Sequence, residues 1–107
     1  MSEAEEPSPI QRLLGDFAPK FADLTDEVLF GDVWRRPELS PRDRSLITIT
    51  SLVSTGSIAQ LEMHIPFALA NGVTEEEIKE AIVHVAFYAG WPPALSALTL
   101  AKRILAS

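Results

Sequence analysis

Helix punctuation recurs along almost the whole chain and constrains its fold more than any other feature. Thr74-Glu75-Glu76-Glu77 has the form of a capping box. In such a box a Thr hydroxyl and a Glu carboxylate each take an orphan N–H at a helix start. Ser40-Pro41 joins an N-cap to a proline at the first helical position, where the missing N–H costs nothing. Gly56, Asn71-Gly72 and Gly90 read as stops.

These signals predict helices over Arg42 to Thr55, Ser57 to about Asn71, Thr74 to about Tyr88, and Pro93 to Ala106. Ser57-Ile58-Ala59-Gln60 reads as a further capping box, and Pro66 is expected to bend the helix that follows it. Upstream, Ile10, Leu13, Leu14, Phe17, Phe21 and Leu24 recur at spacings of three and four, with Pro19 placed to break that stretch. Thr25-Asp26-Glu27 reads as an N-cap with acids in the first turn of a short helix to about Trp34. Arg35-Arg36-Pro37 connects it to the next. The β-branched run inside Arg42 to Thr55 would also suit a strand, but it exceeds ordinary strand length and carries a good cap. Alternating strand pattern with hairpin turns is absent. The expectation is an all-α fold, a compact helical bundle of about six helices. One domain covers residues 10–107, after a flexible acidic N-terminus over residues 1–9.

An apolar share of 47% is high for 107 residues and suggests that some of it is buried between subunits. A net charge of −6 argues against nucleic acid and anionic membranes as partners. The acidic start lacks the basic-then-apolar pattern of a leader, so the cytoplasm is the expected location. With no cysteine, thiolate nucleophiles, redox pairs and cysteine metal sites are excluded. The two histidines, His64 and His84, are the only imidazoles. They do not form an HxxxH or HExxH pair, so no metal site is expected; neither a phosphate-binding glycine loop nor a GxSxG elbow occurs.

His64 flanks the apolar face formed by Ile58, Leu61, Ile65, Ala68 and Leu69, a position that suits either a structural histidine or a shielded acid–base group. Glu80, His84 and Tyr88 form one polar stripe at i, i+4 and i+8. Glu80 could fix the tautomer of His84 and Tyr88 could donate a phenolic proton; an ordinary surface stripe is the competing account. Arg35, Arg36, Arg42 and Arg44 bracket the connector before the third helix. They suit bidentate binding of a carboxylate, or salt bridges to Asp32, Asp43 or Glu38. Trp34 and Trp91 stand beside turns as core lids, interface anchors or pocket walls.

Several of these segments together resemble the γ-carboxymuconolactone decarboxylase family. They are Gly31-Asp32-Val33-Trp34-Arg35-Arg36-Pro37-Glu38-Leu39, Arg44-Ser45-Leu46-Ile47-Thr48, and His64 followed by Ala68-Leu69-Ala70-Asn71-Gly72-Val73-Thr74. Glu76-Glu77-Ile78 and Phe87-Tyr88-Ala89-Gly90-Trp91-Pro92 complete the set. The match runs in register from about Leu24 to the C-terminus. It implies an all-α, alkylhydroperoxidase D-like fold and an obligate oligomer, a homotrimer or homohexamer, with sites near subunit contacts. Peroxidases of the wider superfamily place a CxxC pair where this chain has Ser57 and Gln60, and a relay glutamate where it has Ser45. Peroxidase or oxidoreductase chemistry by that route is therefore disfavoured.

The resemblance implies a substrate that is a lactone acid of aromatic-compound catabolism. It carries a carboxylate on the carbon vinylogous to the lactone carbonyl, together with an acetate side chain. The substrate is its own electron sink, so no cofactor is needed. The roles implied are carboxylate binding by Arg44, with Arg36 in reserve, and acid–base transfer by His64. His84 or Tyr88 would supply hydrogen bonds, and Trp34 and Trp91 would wall the pocket. Pro66 stands where relatives often carry a basic residue, and Ser96 where they often carry an amide. The alternative function is a non-enzymatic oligomeric module that binds acidic or quinone-like metabolites.

Overall fold

A computed structural model describes residues 6–106; part of the acidic segment expected to be flexible, residues 1–5, lies outside them, as does residue 107. Every regular element among the described residues is helical. The chain divides into two compact units, one ending at Glu38 and one beginning at Leu39.

In the first unit α1 spans Pro9–Leu14 and α2 spans Pro19–Leu24, separated at Pro19 as the sequence predicts. Ser8 caps α1, accepting from the Gln11 N–H at 3.2 Å and donating its own proton to Asp26 at 2.7 Å. Thr25 does not cap a new helix. Its hydroxyl donates back to the Phe21 carbonyl at 2.8 Å, and the chain continues directly into a π-helix over Thr25–Phe30. A threonine that bonds its own preceding turn is satisfied in mid-helix and has no need of a helix start. A 3-10 turn, Val33–Arg35, ends the unit's regular structure.

The second unit comprises α3 (Pro41–Ser54), α4 (Ile58–Ala70), α5 (Glu75–Ala89) and α6 (Trp91–Leu105). α3 and α6 each pack on both α4 and α5 and touch each other, which leaves α4 and α5 at opposite corners. Ile49, Val53, Leu61, Ile65, Ile78 and Ile82 are fully buried between them. Ala94, Ala97 and Ala101 form the buried stripe of α6 with Leu100, and their small side chains let its backbone approach the others closely. No helix among the described residues is long and apolar enough to cross a membrane.

Two predicted helix starts hold in atomic detail. Ser40 accepts from the Asp43 N–H at 3.0 Å. Thr74 and Glu77 close the reciprocal box at 3.1 and 2.9 Å. The box expected at Ser57 is absent, because the Ser57 N–H is already bonded to the Leu52 carbonyl at 2.9 Å. With Gly56 at φ 69 this is the 6→1 bond that closes α3; Ser57 still opens α4 through its carbonyl, which accepts the Leu61 N–H at 2.9 Å, but its hydroxyl is paired with that of Thr55 at 2.7 Å and not with the helix start. α4 runs through Pro66, which leaves the Glu62 carbonyl without its usual i+4 donor. α6 begins at Trp91, two residues earlier than the prolines suggested, since Pro92 and Pro93 fit a first turn that needs no N–H.

Candidate active site

Arg44 lies in the first turns of α3. Its N–H donates to the Ser40 carbonyl at 3.0 Å, and its carbonyl accepts the Thr48 hydroxyl at 2.8 Å. The side chain is half-buried, with the guanidinium Nε shut away from solvent. His64 occupies the middle of α4, also half-buried, with its ring edge-on to Phe67 at 5.3 Å and its Nε2 likewise shielded. Burial pushes the His64 pKa below the ordinary imidazole value and so favours the neutral ring. Because α3 and α4 pack together, this guanidinium and this imidazole sit on neighbouring helices, each with a nitrogen held away from water.

Ser45, beside Arg44, is the one fully buried polar residue among the described residues, and its hydroxyl accepts from Asn71 Nδ2 at 2.9 Å. Sequence reasoning used Ser45 only to exclude a relay glutamate and Asn71 only as a helix stop. The available signal was a serine in register with Ile49 and Val53 on the buried stripe of α3.

The remaining candidates lie elsewhere. His84 and Tyr88 are exposed on α5, at the corner opposite α4, with their rings stacked at 5.2 Å. Among the described residues the ring contact of His84 is with Tyr88, and no ion pair joins it to Glu80. Trp91 meets Phe87 edge-on at 5.8 Å and remains exposed. His84 and Tyr88 are thus carried by α5 and Trp91 by α6, whereas Arg44 is on α3 and His64 on α4. In the first unit Trp34 is half-buried and stacks on Phe30 at 6.0 Å, while Arg36 is exposed and pairs with Glu38 at 3.7 Å. Arg42 bonds Asp43 at 3.2 Å and reaches across to Glu77, which gives it a structural task. A shallow recess of about 350 Å³ between α5 and α6 is lined by Glu75, Lys79, Leu98 and Lys102, and includes none of the expected site residues. No cluster of three metal-ligating side chains occurs among the described residues.

Comparison with known proteins agrees with the fold and the residue pattern. The model of the carboxymuconolactone decarboxylase family matches residues 19–103. The chain is 38% identical over 91 residues to 4-carboxymuconolactone decarboxylase of Acinetobacter baylyi, a match covering 85% of this chain and 68% of that protein. It is 36% identical over 83 residues to nitrosuccinic acid decarboxylase of Metarhizium robertsii, covering 78% and 58%. An uncharacterized 15.0 kDa protein of Paracoccus denitrificans is 35% identical over 82 residues, covering 75% and 61%. The chain thus spans about two thirds or less of the length of these relatives.

Proposed function

This chain belongs to the carboxymuconolactone decarboxylase family, and from that premise we propose that it is a carboxy-lyase working without a cofactor. The observation that supports the reading is that Arg44 and His64 stand on helices that pack together, each half-buried beside an apolar core. A guanidinium there binds a carboxylate strongly because water competes less for it. A buried neutral imidazole is poised to take up a proton when an anion arrives beside it.

The two named relatives narrow the substrate class. 4-Carboxymuconolactone and nitrosuccinic acid both have a carbon that bears a carboxylate, a carboxymethyl arm and a conjugated electron sink. The sink is an unsaturated lactone in one and a nitro group in the other. We assign this chain to the same class: a substituted succinate whose departing carboxylate sits on the activated carbon. Arg44 holds the carboxymethyl arm. The bond to the departing carboxylate breaks, CO₂ leaves, and the electron pair moves into the sink. The resulting anion then takes a proton on carbon from the His64 imidazolium, and the imidazole is recharged from solvent. The carbon protonated is the ring carbon beside the carbonyl for a lactone sink and the carbon that lost CO₂ for a nitro sink. One proton is consumed for each CO₂ released.

Assembly belongs to the same proposal. Phe87 and Tyr88 are 75% and 79% exposed, and bare aromatic surface of this kind is characteristic of an interface. A homotrimer or homohexamer would cover it, and the neighbouring subunit would then be the source of a His84 or Tyr88 donor.

The test is CO₂ release from a panel of activated succinates, with His64→Ala and Arg44→Ala beside the wild type. Loss of the acid–base group is expected to lower kcat by about 10² to 10⁴. Loss of the guanidinium is expected to act chiefly on KM. Full activity in His64→Ala would overturn the assignment of the proton donor. If the wild type is stabilised thermally by these acids without consuming them, the protein is a binding module.

A further inference from the structure

We propose that Ser45 and Asn71 are positioning residues that set the register of Arg44 against His64; this rests on the carboxy-lyase reading of that pair. The buried core between α3 and α4 is mainly apolar, with Ile49 and Val53 on one side and Leu61, Ile65 and Ala68 on the other. Dispersion and burial are non-directional, so such a surface tolerates small slides and rotations of one helix on the other. A directional bond joins them near Arg44, from Asn71 Nδ2 to Ser45 Oγ at 2.9 Å.

Both ends of that bond are held firmly. Ser45 is fully buried, next in sequence to Arg44 and in register with Ile49 and Val53. Asn71 is the C-cap of α4, with its N–H bonded to the Phe67 and Ala68 carbonyls. Beyond it Gly72, at φ 101, lets the Val73 N–H return to the Ala68 carbonyl at 3.0 Å, and Val73 itself is buried in the core. Asn71 therefore has little freedom to drift, and the amide fixes where α3 sits on the helix that carries His64.

Stability alone gives a weak reason for this arrangement. A neutral hydrogen bond adds little net stability, and an apolar pair of the same shape would serve a core about as well. Geometry gives a stronger one, since a displacement of about 1 Å in a catalytic pair can cost about a hundredfold in rate. The pin is thus a device whose loss is read in the site before it is read in the fold.

The experiment compares Ser45→Ala, Asn71→Ala and the double variant with wild type. Ser45→Thr keeps the hydroxyl that accepts the Asn71 amide. Two readouts are taken: the NMR titration midpoint of the His64 imidazole, and kcat and KM on an activated succinate. The expected result is a kcat at least tenfold lower in each alanine variant with KM within twofold. The double variant should be no worse than the poorer single, as for two ends of one bond. The His64 midpoint should move back toward the ordinary imidazole value, and Ser45→Thr, which keeps the accepting hydroxyl, should leave it at the wild-type value. An unchanged midpoint in both alanine variants overturns the proposal, as does an additive double variant. If the wild type releases no CO₂, the lyase reading fails by itself, and the titration still decides whether Ser45 and Asn71 hold His64 in place.

Discussion

The Arg42 guanidinium, in the first turn of α3, is bonded to the Glu77 carboxylate in the first turn of α5, and the same carboxylate closes the capping box with Thr74. One acidic side chain therefore ends two tasks that sequence spacing shows separately: it satisfies a helix start and ties that start to the neighbouring helix. Arg42 was one of four arginines that suited substrate binding on composition alone. Its bond to Glu77 removes it from that set and leaves Arg44 as the shielded guanidinium of α3.

Acid should loosen this tie. The Thr74 N–H is the main cause holding the Glu77 carboxyl below its ordinary value; partial desolvation opposes it, and the Arg42 charge adds to it. A depressed pKa means that the unfolded chain takes up the proton first. The stabilisation is therefore complete above the ordinary glutamate value of about 4.3 and is lost as pH falls through the lower folded value. Melting temperatures followed downward from neutral pH should fall less steeply below that point in Glu77→Gln than in wild type. Parallel curves would mean that the carboxylate contributes nothing to acid sensitivity.

Gly72 offers a test confined to the backbone. At φ 101 it holds the closing turn of α4 in a conformation that other residues adopt at a cost, although no atom lies within 4 Å of where a Cβ would stand. Gly72→Ala should therefore destabilise through strain alone, by about 1 to 3 kcal/mol. For a chain of this size that corresponds to a melting temperature lower by roughly 4 °C or more, measurable by calorimetry. An unchanged melting temperature would show that the turn relaxes freely.

The same residues show how far sequence reading reaches. Caps at Ser40 and Thr74 were legible because side-chain chemistry and neighbouring positions suffice to specify them. The false box at Ser57 and the false cap at Thr25 share one cause. In each, a donor or hydroxyl had already been taken by the preceding helix, at Leu52 and Phe21, and a local motif carries no record of that competition. The half-buried state of His64 followed from its place beside an apolar face. The packing of the helix that carries Arg44 on the helix that carries His64 was not legible, because spacing along one helix does not say which helices pack. The Ser45–Asn71 bond was hidden for the same reason.

His64 should give a signature in stability as well as in rate. Burial lowers its pKa, so between the folded value and the ordinary value of about 6.5 the unfolded chain binds more protons than the folded one. Its effect on stability is thus nil above about pH 6.5 relative to the ordinary histidine and becomes unfavourable as pH falls through that window. His64→Gln should remove that part of the slope. A dicarboxylate bound at Arg44 should reverse the shift and draw a proton onto the imidazole. Calorimetric titration with succinate in buffers of different ionisation enthalpy should then show proton uptake near neutrality in wild type and none in His64→Gln. Equal uptake in both would place the proton elsewhere.

The aromatic face of α5 decides whether one chain is a complete catalyst. Phe87 and Tyr88 are largely exposed, and Trp91 is 64% exposed beside them. Each such ring buries roughly 150 to 250 Å² when covered, so the cluster is large enough to drive association. Phe87→Glu places a charge at its centre and should shift the protein toward monomer in light scattering, with helicity by circular dichroism unchanged. Tyr88→Phe keeps the apolar surface and removes only the hydroxyl, so the assembly should persist. If a neighbouring subunit supplies Tyr88 to the Arg44–His64 pair, Tyr88→Phe lowers kcat without dissociation, and Phe87→Glu lowers it in proportion to the monomer fraction. A monomeric Phe87→Glu protein with full activity would confine the catalytic groups to α3 and α4 of a single chain and remove His84 and Tyr88 from the reaction.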